Sequence, residues 1–504
     1  MMSLPIVNSR RFTNLVMLLG SAWLFSGCAV RPHPLETTEL QQQLQLDREA
    51  MFARNDKADH PLTLPEAIAR AMRFNLEQRV KELEELQAKK QISVSSLDMF
   101  PKLFASGGYT SRSNEGASTS KSSLVPSSSL DRDRNTGDLT FSWNILDLGV
   151  SYFNARQEAN RFLIARERQR KVVRQLVQEV RGKFWRAAAA QQLRQDIQDT
   201  LKQADNALQN ARQSEKEAVR NPMEALQYQQ SLFDQISQLE VIAQELETAR
   251  VELASIVNLP PGAQLALELP KDGQNRVPTW SMPMERMEET AFLFNADLRE
   301  SVLQTRIAVT ETHKAVAKLL PGVSFNLGTQ YDSNSYLVEH AWQEAGARVS
   351  FNIFNLLTGP SQLSLAHSGL DVANARRLAV RMAVLTQLHL ANHQFAFAKH
   401  NFQRLTMRHD VSQRIRQQTA NRQQQDAGSI LDLVTAQTRE IVDRGRTYLA
   451  LAEMHNALGR LQATLGLDMD PGDPSRMDLP ALTARIASSL ELLSTGEGGA
   501  KAAP

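Results

Sequence analysis

The chain carries one pattern twice. The run Ala71–Met72–Arg73–Phe74–Asn75, then Met99–Phe100–Pro101 and an alternating stretch from Leu103 to Tyr109, returns as Ala291–Phe292–Leu293–Phe294–Asn295, Leu319–Leu320–Pro321 and Val323 to Tyr331. The offset is the same at both landmarks, since 295 − 75 and 321 − 101 give 220. Further on, Phe141–Ser142–Trp143–Asn144–Ile145 returns as Val349–Ser350–Phe351–Asn352–Ile353 at 353 − 145 = 208, so the first copy holds 220 − 208 = 12 extra residues. A duplicated unit of this length is one supersecondary motif used twice. It ties the 504 residues into one elongated plan rather than a string of independent domains.

Acidic and basic residues alternate along the helical stretches and leave a net charge of only +2, which points to solvated helix faces and away from a nucleic-acid surface. The mean hydropathy is −0.36. Beyond the N-terminus no apolar run is long enough for a membrane-spanning helix, which excludes a helical membrane bundle but not a β-barrel. The N-terminus itself reads as an export signal over residues 1–27: Arg10 and Arg11, an apolar stretch from Leu15 to Phe25, then Ser26 and Gly27. Cys28 follows, the only cysteine in the chain, in an arrangement that resembles a bacterial lipobox. The other reading is an ordinary signal peptide with an incidental cysteine, because Phe25 stands where a lipobox has a smaller aliphatic residue. With Ala29 rather than aspartate after it, a lipidated Cys28 implies sorting to the outer membrane. A single cysteine also rules out an intrachain disulfide framework.

Four stretches alternate with period two. Val323, Phe325, Leu327 and Tyr331 interleave with Ser324, Asn326, Gly328 and Gln330; Leu139, Phe141, Trp143 and Ile145 interleave with Thr140, Ser142 and Asn144; Ala347 to Ile353 follows the same rule, and Leu103 to Tyr109 follows it except at Phe104. Strands are predicted at about 102–115 and 136–147 in the first copy and about 322–334 and 344–355 in the second. A soluble antiparallel sheet with one wet face is one reading; four aromatic-bearing strands beside an export signal favour an outer-membrane barrel. Ser111 to Asn135, rich in serine, reads as a long exposed loop, with Asp332 to Glu344 as its shorter counterpart. Both are placed outside the cell, where barrel loops are longer.

Long helices flank the strands. Leu64 to Asp98 is predicted as one helix that ends before Pro101. Val150 to about Glu217 lacks proline and would reach roughly 100 Å at about 1.5 Å per residue. Asn221–Pro222 forces a turn, and the return helix places Leu232, Leu239, Leu246 and Leu253 seven apart. The second copy runs from Ser361 to about Gln425, breaks near Gly428 and returns to Leu465 with Val434, Ile441 and Tyr448, and Leu451, Leu458 and Leu465, again in sevens. Such heptads specify paired, supercoiled helices. A rod or spectrin-like bundle shares them but carries no strands at one end.

Four strands cannot close, and an open sheet edge in lipid leaves backbone groups unpaired at several kcal/mol each. Two copies would make an eight-stranded barrel filled by side chains; three make twelve strands and begin to admit water. The predicted fold class is therefore mainly α with a β-barrel portion: a duplicated helix–strand–strand–helix unit, four strands per protomer, completed to twelve in a trimer.

Leu62–Thr63–Leu64–Pro65–Glu66–Ala67–Ile68, Asn75, Pro101, Leu259–Pro260–Pro261–Gly262 and Ser429–Ile430–Leu431–Asp432–Leu433–Val434–Thr435–Ala436–Gln437 resemble the TolC-type outer-membrane efflux proteins, and the likeness spans about Leu62 to Leu467. The resemblance implies a homotrimer with a barrel in the outer membrane and a long periplasmic helical coiled-coil barrel, lipid-anchored if Cys28 is modified. It divides the chain into a lipid-anchored and equatorial segment 28–61, a first repeat 62–259, an equatorial connector 260–283, a second repeat 284–466 and a C-terminal equatorial tail 467–504. It implies an exit duct of a tripartite efflux or type I secretion system, with a periplasmic adaptor and an inner-membrane pump of the RND or ABC type docking at the helical tip. In such proteins acidic residues ring the tip. Asp432 and Glu224 occupy equivalent places, since 432 − 224 = 208, with Asp426 a further candidate; the docking turns would be Asn221, Pro222, Gly428 and Ser429. Thr435 stands where some relatives carry a second acid, and Asp426 where the turn glycine is expected. Asp432 and Glu224 also read as solvated groups at helix starts.

No enzyme is indicated. His389 and His393 lie four apart on a helix without the intervening acid of a His-Glu-x-x-His site, and His400 and His409 continue the scatter; no phosphate loop, nucleophile elbow, metal site or cofactor motif is present. A non-transporting, lipid-anchored coiled-coil scaffold is the alternative to the duct, although it has no use for strands with polar inward positions.

Overall fold

The duplication appears as two copies of one chain path in the computed structural model, which describes residues 34–53, 60–119, 121–122, 125–216, 222–260, 262–263, 265–269, 277–278, 280–425, 429–469, 474 and 477–494. A helix at Thr37–Phe52 (α1) belongs to a unit of its own and buries none of its residues. In the second unit the first copy runs α2 (Leu64–Phe74), α3 (Leu76–Leu97), β1 (Lys102–Ser111), β2 (Gly116–Thr119), β3 (Pro126–Leu130), β4 (Asp133–Asn144), α4 (Ile145–Lys216) and α5 (Pro222–Ile256). The second runs α6 (Met284–Phe294), α7 (Ala296–Ala317), β5 (Gly322–Asp332), β6 (Ala341–Ser350), α8 (Asn355–Gln424) and α9 (Ile430–Leu465), and α10 (Leu479–Ser494) follows. Equivalent elements match in length: α2 and α6 have 11 residues each, α3 and α7 have 22.

The helix expected from Leu64 to Asp98 is two helices, and Asn75 divides them. Its backbone turns extended (φ −64°, ψ 127°), closing α2, while its side-chain oxygen accepts from the Gln78 amide at 3.1 Å to start α3. Asn295 repeats the arrangement, accepting from Asp297 and Leu298 at 2.9 and 3.1 Å. The apolar period continues across both breaks, but an asparagine that offers its own acceptor to the backbone outcompetes helix continuation. The free amide of each reaches a returning helix: Asn75 Nδ2 donates to the Ile256 carbonyl at 3.4 Å and Asn295 Nδ2 to Thr464 at 2.8 Å, partners related by 464 − 256 = 208.

In the first copy strand turns into helix with no loop between, and in the second four residues separate β6 from α8. Asn144 Oδ1 accepts from the Leu146 and Asp147 amides at 2.8 and 3.3 Å, and Asn352 Oδ1 from Phe354 at 3.1 Å, so strand pairing ends at Asn144 and Ser350 rather than near 147 and 355. Likewise β1 stops at Ser111, short of 115. The segment Ser111 to Asn135, expected as a long exposed loop, contains the two-stranded β2–β3 sheet with a bulge between Gly116 and Ala117. Small residues make this possible: a Cβ on Gly116 would stand 2.7 Å from Leu130. Helix α8 begins at Asn355, ahead of the expected Ser361, with Pro360 inside its second turn, where its missing amide leaves one helical hydrogen bond unmade.

The main sheet has the order β1-β4-β5-β6, antiparallel throughout, with the two copies joined at β4–β5. Helices α4 and α8, 72 and 70 residues long, each extend about 105 Å at about 1.5 Å per residue. Side by side the long helices run α5, α4, α9, α8: α4 packs on α5 and α9, and α9 on α8. The heptad positions form the seams. Leu232, Leu239 and Leu253 are fully buried, as are Val434, Leu458 and Leu465 within 1%, and they sit in successive apolar clusters. The largest cluster joins α2, α4, α5, α8, α9 and α10 around Met72, Phe184, Leu253, Leu388, Leu461 and Ile486. Connector residues pair back onto the start of the first copy, with the Leu62 amide donating to Ala266 at 2.8 Å and Glu268 to Leu62 at 3.0 Å.

Candidate functional site

Register decides what each sheet face presents. Across the four strands Leu103, Phe141, Leu327 and Ala345 align, and Trp143, Phe325 and Ala347 form the next row, so the apolar alternates share one face. Leu103 and Leu327 are 66% and 58% exposed there. The opposite face holds Ser106, Asp138, Thr140, Ser142, Asn144, Ser324, Asn326, Gln330 and Glu344. Phe104, which breaks the alternation, points to this polar face opposite Thr140. A sheet that exposes a whole face of apolar side chains inverts the pattern of a soluble protein. Beyond the strands, Asn334 is buried and ties two connections together, donating to the Ser129 carbonyl at 3.0 Å and accepting from the Asp131 amide at 3.1 Å.

At the other end of the long helices, Glu224 lies in the first turn of α5 and Asp432 in the first turn of α9, both exposed. Helix starts favour carboxylates there. Among the described residues no ion pair reaches either group. Ser429 caps α9, its hydroxyl accepting from the Leu431 amide at 3.2 Å. An apolar layer of Ala204, Leu208, Leu232 and Val434 lies behind them. Pro222 opens α5. Cys28, Asn221, Asp426 and Gly428 lie outside the described residues.

Two polar clusters were not foreseen from sequence. One fastens α9 to its neighbours: Asp443, 2% exposed, pairs with Arg408 of α8 at 2.9 Å, Glu440 with His409 at 3.0 Å, and Arg444 with Asp196 of α4. The spacing of Glu440, Asp443 and Arg444 was readable, but their partners lie 31 to 248 residues away in sequence. His389, weighed as a metal ligand, instead meets Glu288 at 2.9 Å.

The other cluster joins α4 and α9, where the His455 ring stacks on Trp185 at 5.2 Å with the planes 8° apart. Burial, reinforced by the positive charge of Arg181, pushes the imidazole from 6.5 down to about 3. The folded chain keeps His455 neutral where the unfolded chain protonates, so the stability it contributes is complete above about pH 6.5 and lost progressively toward pH 3. The slope is up to about 1.4 kcal/mol per pH unit per chain. His455→Phe keeps the stack without a titrating group and is expected to flatten this acid limb in thermal unfolding measured from pH 7 to 4; an unchanged limb would assign the sensitivity to other residues.

Residues 68–259 match the family model of the outer membrane efflux proteins. A comparison with curated proteins finds no match. Among solved structures the chain is similar to the outer-membrane channel OprN, at 16% identity and a TM-score of 0.63 over 80% of this chain and 89% of that one. The CmeC outer membrane channel of Campylobacter jejuni aligns at 12% identity and a TM-score of 0.63 over 86% and 89%. The open state of the MtrE outer membrane channel of Neisseria gonorrhoeae aligns at 16% and 0.62 over 80% and 88%. These likenesses place the fold.

Proposed function

We propose that this protein, a chain of the TolC-type outer-membrane efflux family, is the outer-membrane exit duct of a tripartite efflux or type I secretion system. One observation carries the reading: a four-stranded sheet with an exposed apolar face, a polar reverse face and open edges at β1 and β6. Such a half-built sheet is stable in lipid only when copies pair edge to edge. Three copies give twelve strands and a lumen lined by Thr140, Ser142, Asn326 and Gln330. The exposed apolar residues of the outer helices, Val241 and Val251 on α5 and Met382 and Phe397 on α8, then meet between neighbouring copies in a periplasmic helical barrel.

In this assembly the Asn334-linked connections face outward from the cell, Cys28 carries the lipid anchor, and the turns at Asn221–Pro222 and Gly428–Ser429 form the docking end for a periplasmic adaptor and an inner-membrane pump. The pump, of the RND or ABC type, supplies the energy and selects the cargo. Three Asp432 side chains converge at the tip, with Glu224 and Asp426 nearby, and draw cations to a narrow entrance. Planar-bilayer recordings on the purified assembly test this. Wild type is expected to give small, cation-selective openings, and Asp432→Asn to lower that selectivity several-fold. Unaltered selectivity would remove Asp432 from the gate, and no conductance from wild type would overturn the duct.

A further inference from the structure

Helix α4 carries Arg166, Arg170, Arg174 and Arg181 at spacings of four, four and seven, which puts them on one helix face. All four line a cavity of about 320 Å³ between α4 and the end of α9, whose wall also includes Leu467 and Leu493. Among the described residues the only carboxylate in its wall is Asp468. That group is already committed: it pairs with both Arg170 and Arg174, and Arg174 also donates to the Gly466 carbonyl at 3.1 Å. Arg170 further shares Glu167 at 3.0 Å.

Arg181 is different. It is 8% exposed, and among the described residues its one hydrogen bond runs from Nη1 to the neutral Gln462 Oε1 at 3.3 Å while its buried Nε has no acceptor. Gln462 cannot compensate further, since its own amide is spent on the Leu493 carbonyl at 2.9 Å. Burial alone draws the guanidinium down to about 10, still well above neutrality, so the side chain stays charged. His455 beside it is neutral and supplies no counter-charge. A buried cation without an anion costs several kcal/mol, which proteins avoid by pairing it or replacing it with an apolar residue.

We infer that this cavity is a binding site for a small organic oxyanion, a carboxylate or phosphate monoester, whose charged end meets the Arg181 guanidinium while its body lies against Leu467 and Leu493. Arg170 and Arg174 supply field rather than direct bonds, because Asp468 holds them. The volume is about ten times the share of one water molecule, more than inorganic phosphate fills. The site lies in a different part of α4 from the helical tip and requires no change there.

Thermal unfolding of the full-length assembly in detergent, at fixed ionic strength, tests the assignment with chloride, inorganic phosphate, acetate and glycerol phosphate as probes. Wild type is expected to rise in Tm with the oxyanions over chloride, glycerol phosphate acting at the lowest concentration; phosphate and glycerol phosphate acting alike would assign the free ion rather than a headgroup-like ester. Arg181→Met is expected to abolish the response and, in chloride, to melt no lower than wild type, since it removes an uncompensated charge. Arg181→Lys keeps the charge without the fork and is expected to weaken binding about tenfold. An absent oxyanion response in wild type, or the same response in Arg181→Met, would overturn the proposal. So would a lower Tm of Arg181→Met in chloride, which would show that Arg181 is already partnered.

Discussion

Leu139→Arg is expected to eliminate the assembled protein from the outer membrane, whereas Thr140→Arg, one residue along the same strand, is expected to assemble and to alter only conductance. Leu139 lies near the middle of β4 on the apolar face, opposite Ala105 and Thr329, and Thr140 on the polar face opposite Phe104 and Gly328. An arginine facing lipid at mid-depth costs about 2–4 kcal/mol per chain, which the proposed trimer would multiply to roughly 6–12 kcal/mol. An arginine in a water-filled lumen stays solvated and costs little. Native gels of outer-membrane extracts compare the two. Equal assembly of both variants would mean that the face assigned to lipid does not meet it.

Gly466→Ala is expected to be the most damaging single methyl in the helical part. Helix α9 ends with Gly466 in the left-handed region at φ 78°, the Leu467 amide returning to the Gln462 carbonyl at 3.0 Å. A Cβ there would lie 2.7 Å from the Asn295 amide nitrogen and closer still to the Phe294 carbonyl. These are backbone atoms of the α6–α7 break, held by the Asn295 bond to Thr464, and they cannot swing aside. Left-handed strain of about 1–2 kcal/mol adds to the displacement of that junction, for a total of about 4 kcal/mol or more.

The equivalent position in the first copy makes the contrast. Since 466 − 208 = 258, it is Asn258, the one non-glycine with positive φ (59°) among the described residues. Its helix closes in the same way, Leu259 returning to Ala254 at 2.8 Å. Asparagine tolerates this conformation, so Asn258→Gly is expected to shift stability by no more than about 1 kcal/mol. Urea unfolding of the two variants measures the difference; a Gly466→Ala protein as stable as wild type would mean that α9 does not abut the α6–α7 junction as described.

The path of the chain was legible because the repeat preserved the period. Alternation from Val323 to Tyr331 and from Leu139 onward located β5 and β4, and sevenfold leucines located the seams of α5 and α9. The family resemblance read from Leu62 to Leu467 holds in the matched segment and in the fold. What stayed hidden depends on competition or distance. At Asn75 and Asn295 a side-chain acceptor overrode an unbroken apolar period, and at Asn144 and Asn352 it ended strands that composition would extend. The β2–β3 sheet is built mainly from small residues, four of its nine being serine, and carries no alternating strand signal. Arg181, Trp185 and His455 meet across some 270 residues of sequence, and neither residue type nor spacing announces a buried arginine without an anion.

In lipid the open sheet needs further copies of the same chain to close it. Native mass spectrometry of the full-length protein, extracted from outer membranes in mild detergent, measures that directly. A species of three times the mature chain mass, persisting on dilution, is the predicted result. A stable monomer, or a dimer whose eight strands leave no lumen, would contradict it.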